Sequence, residues 1–167
     1  MTGLESLILQ TKNVHSWSDK RIQAVPEDAW DVIPSQGDAN IFWLVGHLIT
    51  AEHFHSVLCI LGQDQGVLDR NTLIGYAKNY GMGSTAKKGP QVFEPVRFKE
   101  DLALVRAATL HALENLKDAQ LLEPLEETKF KNPIASNKFE ALSWNIHHIM
   151  WHTAQMSTLM RKINITL

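Results

Sequence analysis

All six prolines of this 167-residue chain fall in three segments, 26–34, 90–95 and 124–133. Proline removes a backbone donor and ends helices, so the prolines leave four stretches, and in each of these apolar residues recur at steps of three and four. That spacing predicts four helices and leaves little room for strands. The first runs from about Leu4 to Ala24, with Leu4, Leu7, Ile8, Val14, Trp17 and Ile22 as its apolar residues. The second runs from a capping Asn40 to about Leu61, with Gly62 beyond its end. The third spans about Lys99 to Lys117. The last begins at Asn137, where Glu140 three residues on completes a capping-box-like start, and runs to about Lys162. The connection Gln63–Val96 is rich in glycine, with room for a helical turn near Asn71–Lys78; a further loop covers Asp118–Ser136. No internal repeat or composition break divides the chain. The expectation is one domain over residues 1–167, an all-α up-and-down four-helix bundle with long connections after helices two and three.

Charge and cysteine content narrow the function classes. The 16 basic and 18 acidic residues are interspersed and the net charge is -2, so the chain lacks the electrostatic footprint of a nucleic-acid binder. The single cysteine, Cys59, cannot form an intramolecular disulfide and reads as a small core residue, which fits a reducing compartment. The first residues lack a basic start and a long apolar stretch, and no apolar run approaches the ~20 residues of a membrane span. Cytoplasm and no membrane association are therefore expected.

The unusual count is eight histidines, and their positions carry the functional reading. At about 100° per residue, Leu44, His47, Ala51, Phe54, Leu58 and Leu61 form one apolar stripe, which predicts that His47 points inward from helix two. On the last helix His148 and His152 share a face with Ala141, Gln155 and Leu159, whereas His147 turns toward a polar arc with Ser143, Ser157 and Arg161. Imidazoles at i and i+4 have Cβ atoms only ~6 Å apart and can grip one ion. A third ligand must come from another helix, and His47 is the histidine centred on a strong apolar stripe. Three neutral imidazoles suit zinc, nickel, copper or iron and leave a position open, the pattern of catalytic rather than closed structural sites. Gln155 and Asn145 lie on the same side of the last helix and are candidates to orient a ligand ring or a bound molecule.

Two competing patterns are weaker. Glu52-His53-Phe54-His55 supplies one Glu-x-x-His, but a di-iron carboxylate bundle needs that motif twice. The loop Gly75–Gly89 is aromatic and basic enough to cover an anionic substrate, yet lacks the spacing of a phosphate loop and reads first as a solvated connector. His15, His53, His55 and His111 default to surface or interface positions.

The segments Asn40-Ile-Phe-Trp-Leu-Val-Gly-His47-Leu-Ile-Thr-Ala-Glu52 and His148-Ile-Met-Trp-His152-Thr-Ala-Gln155 resemble the DinB-like superfamily, also called the DinB/YfiT-like metalloenzymes. Helix order, the long link after helix two and the Tyr80-Gly-Met-Gly-Ser84 passage extend the resemblance over nearly the whole chain. It implies that His47, His148 and His152 bind a divalent metal, zinc or nickel before others. It also implies that the protein acts on a small molecule, as a transferase using a low-molecular-weight thiol or as a related hydrolase, and that it forms a homodimer. One departure is Ala154, where the family usually has glycine ahead of the glutamine; its methyl narrows the approach to the site. A non-catalytic dimeric binding or stress-response module with a structural or vestigial metal site stands as the alternative.

Overall fold

The computed structural model describes residues 1–35, 37, 39–62, 66–89 and 91–165. Residues 63–65 and 90, within the connection read as a loop, lie outside them. Among the described residues the chain is all-helical, with five helices, two short 3₁₀ turns (Glu27–Ala29 and Asp118–Leu122) and no strand. The helices are α1 (Gly3–Ala24), α2 (Ile41–Leu61), α3 (Arg70–Tyr80), α4 (Pro95–Asn115) and α5 (Lys138–Lys162). α1 packs on α4 and α5, and α2 packs on α3, α4 and α5.

Local signals set most helix ends. Thr2 and Glu5 form a reciprocal capping box at the start of α1, and Asn40 and Asn137 accept from the backbone N–H of Trp43 and Glu140 at the starts of α2 and α5. α4 begins at Pro95, four residues before the expected Lys99, because proline at the first helical position has no donor to lose. α3 is a full helix where the composition promises only a turn. Asp69 caps it through Thr72 N–H, and Gly75 inside it faces Val92 and Phe93.

Of the apolar residues of α1, Leu7, Val14 and Ile22 are buried, whereas Trp17 is 52% exposed. The buried line is Leu7, Thr11, Val14, His15, Ser18 and Ile22, half of it polar. His15 is thus not a surface residue. Its Nε2 lies 2.7 Å from Oε1 of Glu52, which is fully buried on α2. Arg106 of α4 lies 3.9 Å from the other Glu52 oxygen and pairs also with Asp19. Burial opposes ionisation of Glu52, but His15 and Arg106 outweigh it and hold the carboxyl below the usual range.

α2 is long and apolar enough, by length and composition, to cross a membrane: 21 residues, with a mean hydropathy of 1.4 in its most apolar window. The sequence reading, which finds no such run, is corrected here. Yet 67% of that window is buried against the other helices, as in the core helix of a globular fold. An edge-to-face aromatic cluster joins its start to its neighbours: Phe98 of α4 lies 5.2 Å from Phe42, 5.1 Å from Tyr76 and 5.3 Å from Tyr80 between ring centroids. This cluster clamps α3 onto α2 and so positions Tyr80.

Replacing Glu52 by Ala removes the buried carboxylate beside His15 and leaves Arg106 with the carboxylate of Asp19 alone. Loss of one member of a buried ion pair typically costs about 3–5 kcal/mol, and urea unfolding of Glu52→Ala is expected to show a loss of that order.

A candidate metal centre

His148 and His152 stand one turn apart on α5 and are 8% and 7% exposed. His47 reaches them from α2. Its Nε2 lies 3.2 Å from His148 Nε2, which lies 3.0 Å from His152 Nε2. No two ligand atoms of the three residues are more than 4.8 Å apart. The three expected histidines therefore meet at one point.

His47 does so from an unexpected position. Of the stripe Leu44, His47, Ala51, Phe54, Leu58 and Leu61, only Leu44 is buried and the others are half-buried. α3 and α4 cover the other sides of α2, so this stripe is its least covered line. The half-buried His47 therefore reaches the buried His148 and His152 from the edge of α2.

For His47 and His152 the ring's other nitrogen shows which tautomer is held. His47 Nδ1 is 2.7 Å from the Tyr80 carbonyl, which can only accept, so Nδ1 carries the proton and Nε2 presents its lone pair to the centre. His152 Nδ1 likewise donates to Gln155 Oε1 at 2.7 Å. His148 Nδ1 is buried without a hydrogen-bond partner among the described residues. Asn145, one turn before His148 on α5, is also buried, and its Oδ1 has no partner either. Gln155 thus orients a ring as expected, whereas no hydrogen bond joins Asn145 to the histidines.

Two lone pairs directed at a third imidazole nitrogen about 3 Å away repel one another unless a proton or a cation lies between them. Nitrogens bound to zinc at ~2.0–2.1 Å in tetrahedral geometry stand about 3.3 Å apart, close to the observed spacings. The donor set fits a divalent transition ion. In the metal-free chain a neutral His148 with its proton on Nε2 relieves that repulsion; an added proton is the poorer solution. Burial, and then the charges of neighbouring histidines, pushes His148 down to about 3 and His152 down to about 4, and burial lowers His47 despite the Tyr80 hydrogen bond.

Residues not among the expected site residues complete the centre. A Cβ on Gly46 would lie 2.5 Å from the Tyr80 ring, so glycine is what lets α3 bring its terminal carbonyl to His47. A tryptophan accompanies each ligand. Trp43 stacks on His47 at 4.8 Å and 6°, Trp151 lies nearly parallel to His152 at 6.2 Å, and Trp144 is 6.0 Å from His148. The loop after α3 is fastened here, with Trp43 Nε1 donating to Ser84 and Asn40 donating to the Lys87 carbonyl. Residues 10–156 match the sequence profile of the DinB superfamily. The chain belongs to the DinB superfamily. No curated protein matches it at a significant level.

The remaining histidines separate as follows. His147 and His111 are exposed, as expected. His53 and His55 are buried, contrary to their surface default, and Glu52 faces His15 while His55 faces Asn132 of the loop before α5. The Glu-x-x-His pattern therefore does not assemble as a second metal site. Cys59 is buried as expected, and burial pushes its thiol up despite a hydrogen bond from Asn132.

Two outcomes test this geometry. In the metal-free protein His148 and His152 stay neutral, while an unfolded chain takes up protons below ~6.5. Stability is therefore present above that pH and is lost as pH falls toward the folded values of about 3 to about 4. The expected slope in urea unfolding is up to about 1.4 kcal/mol per pH unit for each histidine, and His148→Ala should lower it. Gly46→Ala should displace Tyr80, cost about 1–3 kcal/mol and weaken metal affinity roughly 10–100-fold, as loss of a ligand's supporting hydrogen bond does; competition with a chromophoric chelator measures the latter.

Proposed function

We propose that this chain is a metal-dependent enzyme that holds one divalent transition ion, zinc or nickel, on His47, His148 and His152. The proposed reaction is attack of a low-molecular-weight thiol, as its thiolate, on an electrophilic small molecule, forming a carbon–sulfur bond as the electrophile's leaving group departs with the thiol's proton, with a related hydrolase as the second reading. The observation that carries the proposal is the convergence of three imidazoles, with no carboxylate or cysteine among them, beside the least covered line of α2. Neutral ligands leave the full charge of the ion available, and when bound it supplies the Lewis acidity that stabilises a thiolate or polarises water.

The protein's own residues bind and orient. The Tyr80 carbonyl and Gln155 hold two rings in the ligating tautomer, and Trp43 and Trp151 wall the rings with apolar surface that keeps water from their flanks. A cleft of about 360 Å³ runs beside Gln155 between Pro34, Leu44, Trp151, Ala154 and Leu159, the size of a small-molecule site. Ala154 lines that cleft, so its methyl bears on the space beside the centre.

The proposal further places the chain as a single domain in the cytoplasm, an up-and-down four-helix bundle of α1, α2, α4 and α5 with α3 as an excursion. Homodimerisation belongs to it too, supported by apolar surface on α1 at Leu9 and Trp17.

Elemental analysis of tag-free protein, purified without added metal or chelator, tests the centre. Wild type is expected to carry close to one transition metal per chain and His148→Ala almost none. Absence of stoichiometric metal from both would return the chain to the reading of a non-catalytic binding module.

A further inference from the structure

The cleft beside Gln155 has one polar wall and one apolar wall. Trp151, Gln155, Thr158 and Lys162 line it from α5 at steps of four, three and four, so they form a single line along the helix. Gln155 and Lys162 stand about 10 Å apart at a rise of ~1.5 Å per residue. The facing wall, Pro34, Ala39 and Leu44, carries only apolar side chains. Three of these residues adjoin the histidines. Gln155 touches His152, the exposed ring of Trp151 lies nearly parallel to it, and Leu44 stands one turn before His47 on α2.

Gln155 is engaged at one end of its amide and unused at the other. Its Oε1 takes the Nδ1 proton of His152 at 2.7 Å, which settles the orientation of the group. The Nε2 amide nitrogen carries two hydrogens, and among the described residues it meets no acceptor. Because the side chain is exposed and lines the cleft, a molecule in the cleft can take those hydrogens.

The rest of the lining decides what kind of molecule fits. Thr158 adds no second donor, since its hydroxyl donates to the Ala154 carbonyl at 3.1 Å and accepts from Arg161 at 3.2 Å. Lys162 adds a cation at the far end of the line, and no acidic side chain lines the cleft among the described residues. Apolar walls with an amide donor and a cation, and no opposing carboxylate, are complementary to an apolar molecule that carries a negatively charged oxygen group.

We infer that the cleft binds an apolar small molecule bearing a carboxylate, which accepts from Gln155 Nε2–H while Trp151 and Leu44 pack against its body. Gln155 is then shared: its carbonyl orients a ligand ring, and its amide nitrogen selects the molecule beside that ring. That this molecule is the electrophile attacked by the thiol rests on the metal-dependent reading proposed above; the cleft and its selectivity do not.

The test uses the full chain loaded with zinc and two probes that share one body, 4-phenylbutyrate and 4-phenylbutylamine, titrated by calorimetry with zinc content measured on the same samples. Wild type is expected to bind the carboxylate about tenfold or more tightly, the effect of one hydrogen bond to a charged acceptor. Gln155→Glu keeps an oxygen for His152 Nδ1–H, and so retains zinc, but replaces the donor by a negative charge. It should weaken phenylbutyrate about tenfold or more and tighten the amine, a reversal that a purely structural glutamine does not produce. Ala154→Phe, which fills the cleft and touches no ligand, should weaken the carboxylate roughly fivefold or more. The side-chain amide resonances of Gln155 in nitrogen-15 spectra should move with phenylbutyrate and stay in place with the amine. No preference for the carboxylate in wild type, or a preference retained in Gln155→Glu, overturns the inference; so does binding unchanged in Ala154→Phe, which marks a carboxylate held by the ion directly. Failure of wild type to retain zinc overturns the metal reading instead, and the two affinities and their reversal in Gln155→Glu still decide the cleft.

Discussion

Imidazole lone pairs directed at one point within a protein are a repulsive arrangement, and the architecture around α2 and α5 exists to hold it. Each solution to that repulsion requires the rings to be fixed before anything binds. The Tyr80 carbonyl does so for His47, and Gln155 does so for His152. Behind Tyr80 stands the aromatic cluster of Phe98, Phe42 and Tyr76, and beside it the missing side chain of Gly46. Metal sites depend on such outer contacts nearly as much as on their ligands. Here they draw on helices far apart in sequence.

The same helix that presents His47 also carries an internal ionic network on another side. Glu52 meets two partners, His15 at 2.7 Å and Arg106 at 3.9 Å, from α1 and α4. Its Oε1 is held by His15, and among the described residues the histidine centre has no carboxylate member. α2 thus separates two chemistries by rotation alone. A neutral nitrogen donor lies on its least covered line, and a buried charge lies where the other helices close over it.

Residues at and after the π-helical turn His53–Leu58 of α2 form a third environment. His55, Cys59 and Asn132 share one hydrogen-bonding amide, and the backbone N–H groups of Ile134 and Ala135 that orient Asn132 determine the tautomer of His55. Ring chemistry that cannot be read from a histidine's presence is here decided by the peptide groups of a loop.

By itself the sequence determined the four long helices, their capping residues and the i, i+4 pair His148 and His152, because capping and one-face spacing depend only on neighbours within a turn or two. It also singled out His47, though for a partly mistaken reason: the stripe that reads as the buried one is the least covered. Burial of a helix that other helices surround on several sides depends on which neighbour lies where, and spacing along one helix does not encode that. For the same reason only the tertiary structure made α3 a helix, put polar Thr11, His15 and Ser18 in the core while leaving Trp17 exposed, and turned His55 from a default surface residue into a buried one. Each of these outcomes is decided by partners distant in the chain: the Phe98 cluster, Glu52, and Asn132, which lies 77 residues from His55.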